Sequence, residues 1–203
     1  VVPLPYLSFP LSDQRKSGFL PPLTGGDNIN GTVVSVPYYW NIAPNRDATF
    51  TTTLMGRRGT ELGTDFRYLE PDFRGRARLN VLPDDRLQGG RNRWALGLEH
   101  QDRLLREPFP HGLGFSLKVN RVSDDDYWRD FSRNTITQAQ RLLSSEGALT
   151  WTPPASRWSF SARALSWQTL QSPDTIVPPY DRLPQVTARH ASDLPGGLRA
   201  QLD

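Results

Sequence analysis

The segment TELGTDFRYL, residues 60–69, alternates between two kinds of side chain. From Leu62 to Tyr68 its even positions carry apolar, aromatic or threonine side chains: Leu62, Thr64, Phe66 and Tyr68. From Glu61 to Arg67 its odd positions carry every charge, together with one glycine: Glu61, Gly63, Asp65 and Arg67. Because successive side chains of a β-strand point to opposite faces, the segment predicts a strand with one apolar face and one charged face.

The same two-residue period recurs along most of the chain. It predicts further strands over 32–41, 47–55, 74–82, 93–101, 113–122, 146–152, 157–167 and 184–190, with a last one beginning near Leu198. Turn residues such as Gly, Pro, Asn and Asp separate these segments, and residues 124–139 are expected to form a longer loop. With two short, proline-bearing strands at the start, about twelve strands are expected. Helical periodicity is nearly absent, so the fold class is all-β, an antiparallel meander.

Composition excludes several classes of protein. The 203 residues are 36% hydrophobic and contain no run near the ~18 apolar residues that a membrane helix needs. Without cysteine, the chain has no disulfide scaffold or thiol chemistry. The net charge of +3 is not concentrated in a basic patch with aromatic residues, so nucleic acid is not an expected partner. Neither a catalytic triad nor a spaced set of metal ligands is present, and the acidic run 124–126 is expected to be a solvated loop.

Alternating strands are compatible with a soluble sandwich and with a membrane barrel, since both have one apolar and one polar face. Strands of about ten residues and charges in the middle of strands favour the barrel. Aromatic residues also gather at strand ends, most densely at Tyr38, Tyr39 and Trp40. These rings are predicted to lie at the membrane interface, where an apolar body and a polar tip are both accommodated. A smaller barrel, either a porin or an enzyme, and a carbohydrate-binding sandwich remain as alternatives.

Four segments carry a resemblance to a known family. They are YLSFPLSDQRKSGFLPP (6–22), VSVPYYWNIAPNRDAT (34–49), RRGTELGTDFRYL (57–69) and PYDRLPQVTA (179–188). They are similar to the start of the membrane domain of LptD, also called OstA or Imp, the outer-membrane protein of lipopolysaccharide assembly. The resemblance implies a transmembrane barrel of about 26 strands. Residues 1–203 would form its first half or slightly less, as a fragment preceded by a periplasmic jellyroll domain.

The resemblance also implies a function in the cell outer membrane. The family delivers lipopolysaccharide to the outer leaflet, with outer-membrane lipids around the barrel, the lipoprotein LptE as a plug inside it, and a periplasmic bridge of Lpt proteins as the donor. The implied activity is transport without covalent chemistry, so neither a catalytic residue nor a cofactor is expected.

A lateral gate is implied where the first strand of the barrel meets the last. Pro5 and Pro10 in the first strand, with Pro21 and Pro22 in the second, are the candidate gate residues. Proline donates no hydrogen bond to a strand ladder and bends the strand. These prolines are therefore expected to weaken the seam, unless they simply mark an irregular linker between domains.

The charged faces of the strands supply the candidate lumen residues. They are Glu61, Asp65, Arg67, Arg74, Arg76, Arg78, Arg93, Glu99 and Arg163. The sequence leaves three roles open for these arginines: they line a passage for anionic sugar, pair with the acidic residues, or face the plug.

Overall fold

The computed structural model describes residues 15–104, 110–131, 141–172, 174–193 and 199–202. The strands are β1 (Gly18–Phe19), β2 (Leu23–Asp27), β3 (Gly31–Ala43), β4 (Arg46–Met55), β5 (Gly59–Leu69), β6 (Phe73–Asp85), β7 (Arg91–Asp102), β8 (Leu113–Val122), β9 (Leu142–Trp151), β10 (Trp158–Thr169), β11 (Arg182–Asp193) and β12 (Arg199–Leu202). A 3-10 turn over Arg86–Gln88 joins β6 to β7, and the helix α1 (Tyr127–Phe131) follows β8. The predicted all-β class is confirmed.

All twelve strands belong to one antiparallel sheet. From β3 onward each strand pairs with the next one in sequence, while β1 and β2 both lie alongside β3. In the described part of the chain the sheet is open, with β1 and β2 at one edge and β12 at the other. A sandwich would need two facing sheets, so the described strands form part of an up-and-down barrel and not a sandwich.

The register keeps charged and apolar side chains on opposite faces of the sheet. In β5, Leu62 lies opposite Val81 of β6, and Asp65 lies opposite Arg78. Residues paired across a ladder share a face, so the alternation seen in one strand extends over its neighbours. We call the face of Leu62 the outer face and that of Asp65 the inner face. Leu62 is 53% exposed and Leu79, also on the outer face, is 43% exposed, so no part of the described chain covers them.

The long strands suit a membrane. Strands β3 to β11 contain between 10 and 13 residues each. At about 3.3 Å per residue and a tilt of ~45°, such strands rise roughly 23 to 30 Å, close to the apolar band of an outer-membrane barrel. The predicted strand length of about ten residues is thus confirmed.

The prediction of a loop over 124–139 is wrong for residues 127–131, which form α1; residues 132–139 lie outside the described residues. A helix of five residues is too short to leave a 3.6-residue period in the sequence. It is also too short to be stable by itself, so its packing must hold it.

The core of the described chain lies where α1 packs on the inner face. One buried cluster consists of Ala95, Val122, Tyr127, Leu143 and Leu170, and a second consists of Val33, Met55 and Leu82. Phe131 packs against both clusters. This end of the sheet also carries the turns at 28–30, 56–58 and 86–90, and we call it the α1 end. Neither α1 nor the 3-10 turn, the helices of the described chain, has the length and hydropathy to cross a membrane.

Candidate functional site

Ion pairs between neighbouring strands follow the inner face. The pairs are Arg67 with Asp47, Arg76 with Asp65, Arg78 with Glu99, and Arg163 with Glu146. Their arginine side chains keep between 41% and 54% exposure. Exposed pairs of this kind contribute only ~0–1 kcal/mol each. The guanidinium groups therefore stay accessible to an anionic ligand even though each has an acidic neighbour.

The register places the residues predicted to line a lumen on the inner face. Arg74 differs from these arginines, because its Nε and Nη2 donate to the Gln101 side chain at 2.9 and 2.7 Å and not to an acidic residue of the described chain. Glu61 lies opposite Thr53, close to α1. Arg93 differs from the rest because its side chain is only 2% exposed.

Five charged residues, the buried charge cluster, hold α1 against the inner face. Arg58 donates to Asp85 through Nη1 at 2.6 Å, and its Nη2 lies 3.1 Å from Asp130. Arg93 donates to Asp124 through Nε at 2.9 Å and through Nη2 at 2.6 Å. The remaining Nη1 of Arg93 donates to Asp130 at 2.7 Å and to Asp85 at 3.1 Å. The two guanidinium groups thus share two carboxylates, and Arg93 binds a third.

Aromatic rings of α1 complete the environment of the two arginines. The guanidinium carbons of Arg58 and Arg93 lie 4.9 and 4.7 Å from the centre of the Phe131 ring. Arg93 is also 5.7 Å from the centre of the Tyr127 ring. Tyr127 and Phe131 are four residues apart and therefore share one face of the helix. Cation–π contacts in a site removed from water contribute more than those on a surface.

Local turn chemistry positions the cluster. Arg58 precedes Gly59, whose φ of +139° lies in the region that favours glycine. The backbone oxygen of Arg58 accepts from Arg86 N at 3.0 Å, which ties this hairpin to the 3-10 turn. Asp85 caps that turn, because its Oδ1 accepts from Leu87 N at 3.0 Å while its Oδ2 accepts from the guanidinium groups.

Burial and pairing set the ionisation of Asp124 and Tyr127, which lie outside the strands. Burial by itself would raise the pKa of Asp124, but the hydrogen bonds from Arg93 and Ser123 outweigh it, so the pKa of this carboxyl lies below its usual value. Burial, and secondly the negative charge of Glu61, raises the pKa of the Tyr127 phenol. Asp124 is therefore ionised and Tyr127 neutral at ordinary pH.

The lowered pKa of Asp124 predicts a dependence of stability on acid. Since the folded pKa lies below the unfolded value of about 3.9, this carboxyl stabilises the fold above about pH 5 and loses that effect as the pH falls through the folded pKa. The thermal stability of the purified full-length protein is expected to fall more steeply from about pH 5 to about pH 3 than that of its Asp124→Asn variant. Two parallel pH profiles would contradict this assignment.

The edge segment formed by β1 and β2 is interrupted at Pro21 and Pro22. Pairing with β3 stops after Phe19 and resumes at Leu23. In the gap, three residues of this segment face two of β3, and Leu20 N donates to Pro37 O at 2.9 Å. The break falls at two of the predicted gate residues, whose nitrogen atoms carry no hydrogen to donate. Pro5 and Pro10 lie outside the described residues.

The aromatic residues at the end of β3 divide between the two faces. Tyr38 and Trp40 share the outer face with Phe50 and Ala48, their partners on β4. Tyr39, which was predicted to lie with them, points instead to the inner face, where its hydroxyl donates to Asp47 at 3.3 Å. Adjacent residues of a regular strand cannot share a face, which is the physical reason for the difference.

Other outer-face aromatics lie with Trp40 at the end of the sheet opposite α1. They are Phe66, Tyr68, Phe73, Phe115, Trp151, Trp158 and Phe160. Several rings are in contact, with centroids 5.6 Å apart for Phe66 and Tyr68 and 5.4 Å apart for Trp151 and Phe160. The outer face thus has an aromatic belt at this end.

Sequence reasoning missed most of the buried charge cluster. The interpretation of 124–126 as a solvated loop is wrong for Asp124, whose side chain is 18% exposed and bound to Arg93. No period in the sequence could have revealed the cluster, because the five-residue helix that carries Asp130 is too short to leave one. In the described residues, no three His, Cys, Asp or Glu side chains are grouped to hold a metal ion.

Comparison with known proteins adds a family. The sequence profile described as LPS transport system D, LptD, matches residues 91–203. The LPS-assembly protein LptD of Albidiferax ferrireducens is 52% identical over 209 residues, which cover 100% of this chain and 26% of that protein. Those of Acidovorax sp. and Paracidovorax citrulli are 46% and 49% identical, again over 100% of this chain and 25% of each relative. The chain therefore spans about a quarter of the length of these curated relatives.

Proposed function

Since the chain belongs to the LPS transport system D (LptD) family, we propose that it forms the first half of an outer-membrane barrel that assembles lipopolysaccharide (LPS) in the outer leaflet. Three structural features support this proposal: the apolar outer face, the charged inner face and the break between β1 and β2. The opposite character of the two faces is the observation that carries it, because LPS itself has an acyl part and a phosphorylated sugar part.

The outer face suits contact with lipid. Large apolar side chains such as Leu54 and Leu62 stay 50% and 53% exposed. An exposed apolar surface of this extent needs an apolar environment. The aromatic belt at one end suits the boundary between hydrocarbon and headgroups, where Tyr and Trp accommodate both.

The inner face suits the sugar and phosphate part of LPS. These groups cross hydrocarbon only at a large cost in free energy, so they require a polar route. Half-exposed arginines such as Arg76 and Arg78 offer planar donors to phosphate oxygens. The acyl chains, in contrast, must leave the barrel sideways into the membrane.

We place the lateral exit at the edge that carries β1 and β2. The break at Pro21 and Pro22 leaves this edge with fewer ladder hydrogen bonds than β3 and the strands beyond it. Pro5 and Pro10 are proposed to act in the same way on the first strand. As partners we propose the lipoprotein LptE inside the barrel and the periplasmic Lpt bridge proteins as donors of LPS. The proposed activity is transport without covalent chemistry, in the outer membrane.

Restoring the ladder at the break is expected to slow LPS delivery. In the full-length protein, replacing Pro21 and Pro22 with threonine supplies two backbone N–H groups and residues that favour strands. With β1 and β2 joined in one stiffer strand, the amount of LPS that reaches the cell surface should fall at least twofold, and sensitivity to large antibiotics should increase. Surface LPS is measured by labelling intact cells.

A proline in a turn far from the seam provides the matched control. Pro154 lies between β9 and β10, and Pro154→Thr is expected to leave LPS delivery unchanged. If the variant changed at Pro21 and Pro22 delivers as much LPS as the unaltered protein, at normal protein levels, the proposal of a gate at this edge is wrong.

A further inference from the structure

We propose that Trp128, held in place by the buried charge cluster, is a sugar-contacting residue at the α1 end of the inner face. The inference rests on the function proposed above and adds to it a specific contact for the saccharide part of LPS. It assigns the cluster a role as well, because the cluster positions this ring.

Trp128 stands where two grooves of the inner face meet. One groove, of about 640 Å³, runs across β4 to β9. The other, of about 780 Å³, runs between α1 and strands β2 to β6. Trp128, Thr51, Glu61 and Asn80 line both grooves. A ligand that passes from one groove to the other along the inner face must therefore pass this ring.

The shared lining has the chemistry of a carbohydrate site. A sugar ring has apolar C–H faces and a rim of hydroxyl groups, so it fits an aromatic surface beside small polar groups. Thr51 offers a hydroxyl, Asn80 offers an amide, and Glu61 offers a carboxylate acceptor. Arg78 and Lys118 line the first groove together with Asp65 and Glu99, so its polar wall offers both donors and acceptors to a sugar.

The ring of Trp128 is fixed by its neighbours in α1. It packs at right angles to Tyr127, with ring centroids 5.3 Å apart and an interplanar angle of 85°. Tyr127 is 1% exposed and contacts Arg93. Two further contacts anchor the helix to the cluster. Asp130 pairs with Arg93, and the ring of Phe131 packs against the Arg93 guanidinium group. An aromatic ring held in this way binds a ligand without first losing conformational freedom.

Photo-crosslinking in cells tests the proposal on the full-length protein. p-Benzoylphenylalanine is placed at position 128 and, separately, at Phe19 on the outer face of the edge strand β1. We expect both positions to form adducts with LPS in cells that make a long saccharide. In cells whose LPS is truncated to the innermost sugars, the adduct at 128 should fall at least fivefold while the one at Phe19 persists.

The outcomes separate the two proposals. An LPS adduct at Phe19 without one at 128, an adduct at 128 that is indifferent to truncation, or an adduct of 128 with another protein would overturn the role of Trp128 alone. LPS adducts at neither position would contradict the proposed function too.

Substitutions provide an independent test without a probe at the ring. With p-benzoylphenylalanine at Thr51, Trp128→Ala should lower the LPS adduct at least threefold, whereas Trp128→Phe retains an aromatic surface and should lower it less. Trp158→Ala on the outer face is the matched control and should have no effect. Equal adducts for the alanine and phenylalanine variants, in folded protein, would refute sugar contact by the ring.

Discussion

Arg93→Met is expected to destabilise the full-length protein by about 3–5 kcal/mol, because it leaves Asp124 without a cation and removes one of the arginines that pair with Asp85 and Asp130. Arg93 binds Asp124, Asp130 and Asp85, and Asp124 has no other arginine in the described ion pairs. Loss of this residue should also release α1, since the ring of Phe131 packs on its guanidinium group. The measurement is the temperature at which the compact, folded band on a gel converts to the unfolded band.

Two comparisons make this first result specific. Arg78→Met removes an exposed pair with Glu99 and is expected to cost at most ~1 kcal/mol. Combining Arg93→Met with Asp124→Asn removes the unpaired charge and should recover part of the lost stability. If Arg93→Met proves no more harmful than Arg78→Met, the cluster does not hold α1.

Gly75→Ala is expected to destabilise the protein by about 1–3 kcal/mol through a steric clash on the outer face. A Cβ atom on Gly75 would overlap the Tyr68 hydroxyl and lie 2.5 Å from the backbone oxygen of Glu99. Tyr68 lies directly opposite Gly75 and its hydroxyl is 2.6 Å from Nδ1 of His100. The added methyl group therefore forces the ring off the glycine and breaks this hydrogen bond. The same gel assay measures the change.

Gly97→Ala on the neighbouring strand is the matched control. There the nearest atom to an added Cβ is Nε of Arg78 at 3.6 Å, an ordinary contact, so little change is expected. Tyr68→Thr should remove part of the destabilisation caused by Gly75→Ala, since it removes the ring that covers Gly75 and clashes with the added methyl group. Additive effects of the two substitutions would show that the ring is not the cause.

Much of the fold was predictable because it depends on a local period. The alternation of residues 60–69 alone predicted both faces of β5, and it required no knowledge of its neighbours. The same period placed the candidate lumen residues together, since every strand with one buried or lipid-facing side repeats it. The resemblance of residues 34–49 and 57–69 to a family supplied the biological context that alternation cannot give.

The predictions failed where neighbours along the chain differ in their surroundings. Tyr38, Tyr39 and Trp40 were grouped by composition, yet the pleat sends Tyr39 to Asp47 on the inner face. Residues 124–126 were interpreted by their charge, yet Asp124 is removed from water by Arg93.

The sequence by itself determined the strands and the two faces, because a period of two is written in adjacent residues, and its longer motifs carried the resemblance to the family. Only the tertiary structure decided which charges meet. Arg93 is 31 residues from Asp124, and Arg58 is 27 from Asp85. These residues meet only when α1 and the turns of the α1 end come together over the inner face. A buried charge is stable only with its partner, so the cluster exists as a property of the assembled sheet and of no single segment.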